Sequence, residues 1–303
     1  MVRVIGFIHK ERGMTLDQLR VFVAVAERQN VTQGAAALNL AQSAASHAIA
    51  TLEARHGVRL FDRLGRRVVL TEAGRVFLIE ARQVLAQADA ADRALAELAG
   101  LRRGTLRIAA SQTIAGYWLP RHLVALRLAS PGLTLALTVA NTAGVAAAVA
   151  EGAADLGFIE GALERTDLVA TPVARDQLVI VVAPCHPWAD GRSLTPTDLR
   201  DAVWVLRESG SGTRAVFEAA LTDLGITAPT VGMVLPSNEA VRAAVEAGFG
   251  ATALSASVAA AGLEAGLLVR ARYTLPDRAF SSLHHPARTL SHAARALLNG
   301  IGT

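Results

Sequence analysis

Apolar residues recur at helical spacing through the first hundred positions, then change to short runs separated by helical stretches. Leu16 to Arg28 carries Leu16, Leu19, Val23 and Ala26 at three- and four-residue intervals, which predicts an amphipathic helix. Thr15 and Asp17 mark its start and Asn30 its end. Thr32 to Leu38 reads as a short second helix, where the small residues Ala35, Ala36 and Ala37 allow another helix to approach closely. After a turn at Asn39-Leu40, Ala41 to His56 forms a third helix. Ala45, Ala48, Ile49 and Leu52 face inward, Gln42, Ser43, Ser46, His47 and Ala50 face outward, and Gly57 stops it.

A short helix, a tight turn and a helix with a polar outer face make a helix-turn-helix, whose second helix fits the major groove. Gln42 can pair with adenine, Ser43 and Ser46 can donate to bases or phosphates, and His47 can reach a base edge or the backbone. Thr32, at the start of the short helix, joins the candidate contacts. A polar helix face alone is usually only a solvated face. The next segment changes the balance: Val58 to Leu70 places two short β-prone runs around a Gly65-Arg66-Arg67 turn, a hairpin wing that offers Arg63, Arg66 and Arg67 to phosphates or the minor groove.

Thr71 can cap a helix beginning at Glu72, and Phe77, Ala81, Val84, Ala88, Ala91, Leu95 and Leu98 alternate steps of four and three, a heptad seam suited to pairing in a dimer. Gly100 and Gly104 bracket a hinge at Leu101-Arg102-Arg103. From Thr105, strands alternate with helices, the sign of parallel α/β layering. Expected strands are 106–109, 133–139, 156–159, 178–183, 203–206, 231–234 and 251–254, and expected helices 119–128, 143–151, 213–224, 238–247 and 256–261. The segment Arg278 to Leu283 and a last helix return to the first lobe. The domains are therefore an extension at 1–13, with Met14 an alternative start, a winged helix-turn-helix at 14–71, a linker or dimerisation helix at 72–101, and an effector domain at 105–303. Its first lobe spans about 105–174 and 274–303, its second about 175–273. The fold class is α/β overall, mainly α in the head.

Ligands of such sheets sit at the carboxyl ends of strands beside helix N-termini. Ser111, Gln112 and Thr113, then Asn141 and Thr142, then Ser209, Ser211, Thr213 and Arg214, then Ser237 and Asn238 all fall there. Taken singly, each is as well explained as a helix cap; together they suggest a site for an anion favoured by the helix dipoles. Arg214 can serve that anion or pair structurally with Glu208 or Glu218.

Of 303 residues, 18% are charged and 52% hydrophobic, a globular balance, and the apolar runs fall well below the roughly 20 residues of a membrane span. Residues 1–70 hold ten Lys and Arg against five Asp and Glu, whereas residues 71–303 hold twenty against twenty-one. The basic excess lies entirely in the head, which points to nucleic acid. The N-terminus lacks the pattern of a secretory signal, so a cytoplasmic location is expected. Cys185 is the sole cysteine, read as a buried thiol, which excludes an intrachain disulfide.

The run Leu19 to Glu27, the run Ala35 to Ser46, Leu52-Glu53, Gly57, Leu60-Phe61, Arg63 and the run Leu70 to Gly74 resemble the winged-helix signature of LysR-type transcription regulators. The family usually carries arginine where this chain has His47. The resemblance implies a dimerising linker helix and a two-lobed sensor similar to periplasmic solute-binding proteins. Asn141-Thr142 with the run Arg207 to Arg214 resembles the subgroup that regulates carbon dioxide fixation and sulfur assimilation, whose effectors include phosphorylated metabolites and sulfur oxyanions. Expected partners are double-stranded DNA, a small anionic effector, and the chain itself as dimer and tetramer; no membrane and no cofactor are expected.

Enzymatic readings are weak. Gly248 to Ala253 fits a dinucleotide fingerprint only loosely, because it runs from a helix into a strand. Ser209 to Arg214 is glycine-rich but no lysine follows, Lys10 being the only one in the chain. His284-His285 lacks partnered carboxylates and reads as a surface turn. The rival from another class is a solute-binding protein of a transport system.

Overall fold

The computed structural model describes residues 13–65, 67–98, 104–163, 165 and 167–302, and the chain divides into two compact units, residues 1–89 and 90–303. Extension residues 1–12, the wing residue Arg66 and the hinge at 99–103 lie outside the described residues.

In the first unit, α1 (Leu16–Arg28), α2 (Val31–Ala37) and α3 (Gln42–His56) are followed by β1 (Phe61–Leu64), β2 (Arg67–Leu70) and the long α4 (Glu72–Leu98), which continues into the second unit. Thr15 caps α1 in a capping box with Gln18. The buried face of α1 is broader than the expected stripe: Leu19, Val21, Phe22, Ala24, Val25 and Ala26 are buried, Val23 is half-buried and Leu16 is exposed. Packing on α2, α3 and the wing surrounds the helix, so more than one stripe leaves solvent. Two expectations shift by a residue or more. Gln29, in the left-handed region, ends α1, while Asn30 instead caps α2 by accepting from Gln33 N. The close approach of α2 rests on Gly34 and Ala35, with Ala36 and Ala37 exposed. A Cβ at Gly34 would meet the Val25 Cα at 2.8 Å, so no larger residue fits there without movement.

Ala45, Ile49 and Leu52 turn α3 onto this core, as the apolar spacing predicts. The antiparallel pair β1–β2 adds Phe61 and Val68. Phe22 centres the cluster, 5.3 Å from the Phe61 ring and 4.8 Å from the Phe77 ring. Phe77 and Ala81, expected on a dimer seam, are spent on the head's own core, whereas Val76, Ile79, Val84 and Leu95 stand exposed along α4.

The second unit runs β3 (Gly104–Ser111), α5 (Gln112–Tyr117), α6 (Leu119–Ala129), β4 (Leu133–Ala140), α7 (Thr142–Ala150) and β5 (Leu156–Glu160). It continues with β6 (Val169–Val182), α8 (Pro196–Asp201), β7 (Val203–Arg207), α9 (Gly212–Asp223), β8 (Thr230–Leu235), α10 (Asn238–Glu246), β9 (Ala251–Ser255) and α11 (Ala256–Glu264). The strands β10 (Val269–Arg270) and β11 (Asp277–His284) and the helix α12 (His292–Ile301) complete it. The strand order is β4-β3-β5-β11-β6-β9-β7-β8, with β10 beside β6.

Residues 169–177 of β6 pair with β11 in the first lobe, and residues 178–182 pair with β9 in the second. One strand therefore pairs in both lobes, and among the described residues β11 pairs with β5 and β6 alone. The first half of β6 escaped the apolar pattern because it is polar, largely exposed and interrupted by Pro172. Strands β5 and β9 are buried throughout, the signature of a sheet covered on both faces. In the second lobe Leu178, Ile180 and Val182 feed one core while Val179 and Val181 feed another across the sheet. The first lobe repeats the scheme, with Leu106, Ile108 and Ala110 on one side and Ala109 on the other. Cys185 is exposed rather than buried, because the chain leaves β6 there for the surface.

Candidate functional site

In the head, Gln42, Ser43 and His47 are exposed on one face of α3 and Ser46 is half-buried beside them; Gln42 Nε2 donates to Ser46 Oγ at 2.8 Å. Thr32 is exposed at the start of α2. Arg63 and Arg67 are exposed on the two strands of the wing, which turns through Gly65 at a φ of 62°. A face of amide, hydroxyl and imidazole groups next to a basic hairpin offers donors to bases and cations to phosphates.

In the sensor, the residues expected at strand ends meet where the lobes face each other, but most of their bonds go to one another. Asn141, Ser211 and Ser237 each cap their own helix, accepting from Gly144 N, Arg214 N and Ala240 N. Ser111 precedes α5 without capping it; its hydroxyl donates instead to Glu160 Oε2. Thr213 Oγ1 donates to Glu160 Oε1 at 3.3 Å, and Thr142 Oγ1 to the Glu160 carbonyl at 3.2 Å. Three hydroxyls from three separate element ends thus converge on Glu160, which lies at the carboxyl end of β5.

Cross-lobe bonds surround this point. Gln112 Nε2 donates to Pro236 O and Gln112 Oε1 accepts from Asn238 N, both at 3.0 Å. Asn238 Nδ2 donates to Thr113 Oγ1 at 3.1 Å, and Asn141 Nδ2 reaches Glu208 Oε1 at 3.2 Å and the Ser209 carbonyl at 3.3 Å. Ser209 itself is exposed. Gly212 makes the approach possible, since a Cβ there would stand 2.1 Å from Glu160 O. Arg214 pairs with Glu218 at 2.8 Å and donates to the Arg207 carbonyl, one of the two structural alternatives that its sequence position left open.

The charges in the cleft were not singled out from sequence. Arg278, on β11, places Nε 2.7 Å and Nη2 2.6 Å from Asp176 Oδ2, and its Nη1 donates to Thr213 Oγ1 at 2.9 Å. The Arg278 side chain is 1% exposed. Arg207, equally buried, donates to Glu208 Oε2 at 2.8 Å and to Asn238 Oδ1 at 2.6 Å. Burial pushes the Glu208 carboxyl up, but the Arg207 guanidinium outweighs it and, with the Asn141 amide, holds it below the usual range. Glu160 ends an apolar strand, so the strand-end rule that found Ser111 and Asn141 also reaches it; Arg278 and Asp176 meet only through strand pairing distant in sequence. Among the described residues no group of His, Cys, Asp and Glu forms a metal cluster, and no helix is long and apolar enough to cross a membrane.

A winged helix-turn-helix followed by a two-lobed α/β domain is the build of a ligand-responsive DNA-binding protein. Residues 16–75 match the family described as bacterial regulatory helix-turn-helix protein, lysR family, and residues 99–302 match the LysR substrate binding domain. The chain is 38% identical over 288 residues to the HTH-type transcriptional regulator YeiE of Escherichia coli K12, covering 94% of this chain and 96% of that one. It is 38% identical over 254 residues to the regulator CbbR of Rhodospirillum rubrum, covering 84% of each. Among solved structures, full-length CbnR complexed with its target DNA aligns with a TM-score of 0.68 at 26% identity, over 95% of this chain and 99% of that one. The CcmR regulatory domain of Synechocystis PCC6803, in complex with 2-PG, aligns with a TM-score of 0.61 at 25% identity over 66% and 96%. The chain belongs to the LysR family of transcriptional regulators.

Proposed function

We propose that this regulator binds double-stranded DNA through Thr32, Gln42, Ser43, Ser46 and His47 and through the wing arginines Arg63, Arg66 and Arg67, and that its sensor responds to a small anion held between the lobes. The observation that carries the effector reading is the convergence of the Ser111, Thr142 and Thr213 hydroxyls on Glu160 between the lobes, ringed by lobe-to-lobe hydrogen bonds that an effector would replace. Opening the cleft frees these hydroxyls and the starts of α7, α9 and α10, where backbone N–H groups and helix dipoles favour negative charge. Arg278 and Arg207 lie buried behind them, paired with the carboxylates of Asp176 and Glu208. The 2-PG complex of CcmR supports a small-molecule ligand for a sensor of this shape.

The exposed apolar residues of α4 support dimerisation along the linker helix, with two dimers joined through their sensors so that four heads meet a bent operator. Effector binding then shifts the equilibrium between two lobe arrangements, and differential affinity for them alters DNA bending. The protein works in the cytoplasm and catalyses no reaction.

The test pairs a thermal-shift screen of small oxyanions and phosphorylated metabolites with mobility shifts on DNA upstream of its own gene. Ser111→Ala and Thr142→Ala should abolish the shift produced by the best hit while leaving DNA affinity intact. Equal loss of both would contradict a sensor separate from the head, and no specific retardation at moderate salt would refute the DNA reading.

A further inference from the structure

An acidic residue in the last turn of a helix sits against the negative end of the helix dipole, and Glu53 occupies that place in α3. Its contacts explain its presence. The Glu53 carbonyl accepts from Gly57 N and from Val58 N at 3.2 Å, and its side-chain Oε1 accepts from Leu60 N at 2.7 Å and Phe61 N at 3.2 Å. One residue of the recognition helix thus gathers four of the five backbone N–H groups between residues 57 and 61, the whole connection into the first wing strand. Leu60 and Phe61 are buried residues, and removing the carboxylate takes from both amides the acceptor they have here.

The far side of the wing is tied elsewhere. Val68 N donates to Gln29 O at 3.1 Å, Thr71 N donates to Leu60 O at 3.0 Å, and Thr71 Oγ1 donates to Arg59 O at 2.8 Å. These bonds hold β2 and the start of α4, and among the described residues only Glu53 hydrogen-bonds the start of β1 to the helix that carries Gln42, Ser43 and His47.

We infer that Glu53 is a positioning residue for DNA binding, setting the wing relative to the recognition helix so that Arg63 and Arg67 reach phosphates while α3 occupies the groove. Glu53 touches no DNA in this role and acts through the backbone of residues 57–61. The inference rests on the reading of the wing arginines as phosphate contacts. It requires an oxygen at Oε1 rather than a charge, so Glu53→Gln preserves the function and Glu53→Ala removes it.

The experiment measures affinity of the full-length chain for a fluorescent duplex from upstream of its own gene, and for a scrambled duplex, across a salt series. Each lost phosphate contact lowers the slope of log affinity against log salt by about 0.9. R63A/R67A is expected to flatten the slope by up to about 1.8 for each head bound to the duplex. E53A is expected to flatten it in the otherwise native chain and to add nothing in the R63A/R67A chain, with the preference for the upstream duplex retained. E53Q is expected to match the native slope. Glu53→Asp, one methylene shorter with its charge kept, must flatten the slope as well and carries the test if E53A does not fold. A native slope in E53A or E53D, a further loss on adding E53A to R63A/R67A, or an E53Q chain that behaves like E53A overturns the inference. An unchanged slope in R63A/R67A instead refutes the wing contacts themselves.

Discussion

Replacing Arg278 by methionine keeps much of the side chain's length and apolar volume while deleting its charge. In the native chain two of its nitrogens lie within 2.7 Å of Asp176 Oδ2, a third is 2.9 Å from Thr213 Oγ1, and Glu160 Oε1 stands 4.0 Å away. The exposures of 1%, 6% and 3% for the side chains of Arg278, Asp176 and Glu160 exclude water as a substitute partner. Asp176 would retain the Ser255 hydroxyl at 2.8 Å, and Glu160 the hydroxyls of Ser111 and Thr213. Breaking a buried pair from one side typically costs about 3–5 kcal/mol, most of it the penalty of the stranded charge. Arg278→Met should therefore lower sensor stability by about that amount. Adding Asp176→Asn removes the stranded charge and should restore about 1–3 kcal/mol. The chain's three tryptophans, Trp118, Trp188 and Trp204, all lie in the second unit and are buried, so urea unfolding followed by their emission reads the sensor alone. A loss below about 1 kcal/mol, or no recovery in the double variant, would show that the cluster is not held by this ion pair.

Gly34→Ala puts a methyl carbon 2.6 Å from Val25 Cγ2 and within 2.9 Å of its backbone, so the head should lose about 1–3 kcal/mol and DNA binding should weaken with it; an unchanged melt would refute the close packing of α1 and α2. Thr15→Ala deletes the cap on Gln18 N and should cost about 1 kcal/mol by helical circular dichroism, against no change if the cap is only a surface contact. Glu208 has a folded pKa below its ordinary 4.5, so its contribution is fully present above that value and is lost as the pH falls through the lower folded value. Glu208→Gln should flatten the acid limb of the sensor's stability curve; an identical limb would mean that the Arg207–Glu208 pair does not couple to folding.

The two parts of the chain were legible to different degrees. Local chemistry determines most of the head: helix stripes, caps, a turn and an arginine hairpin are contiguous in sequence, so α1, α2, α3 and the wing follow from spacing alone. The strand and helix alternation of the sensor is likewise local, and so is the placement of Ser111, Thr142 and Thr213 at element ends. What the pattern could not supply is which residue these hydroxyls face. Glu160, Arg278 and Asp176 lie far apart along the chain and meet because β11 pairs with both β5 and β6. The same holds for Phe77 and Ala81, whose heptad spacing suits a partner helix but whose rings and methyls the head's own core claims first. Periodicity reports that a face is apolar, and only the packed structure decides what covers it.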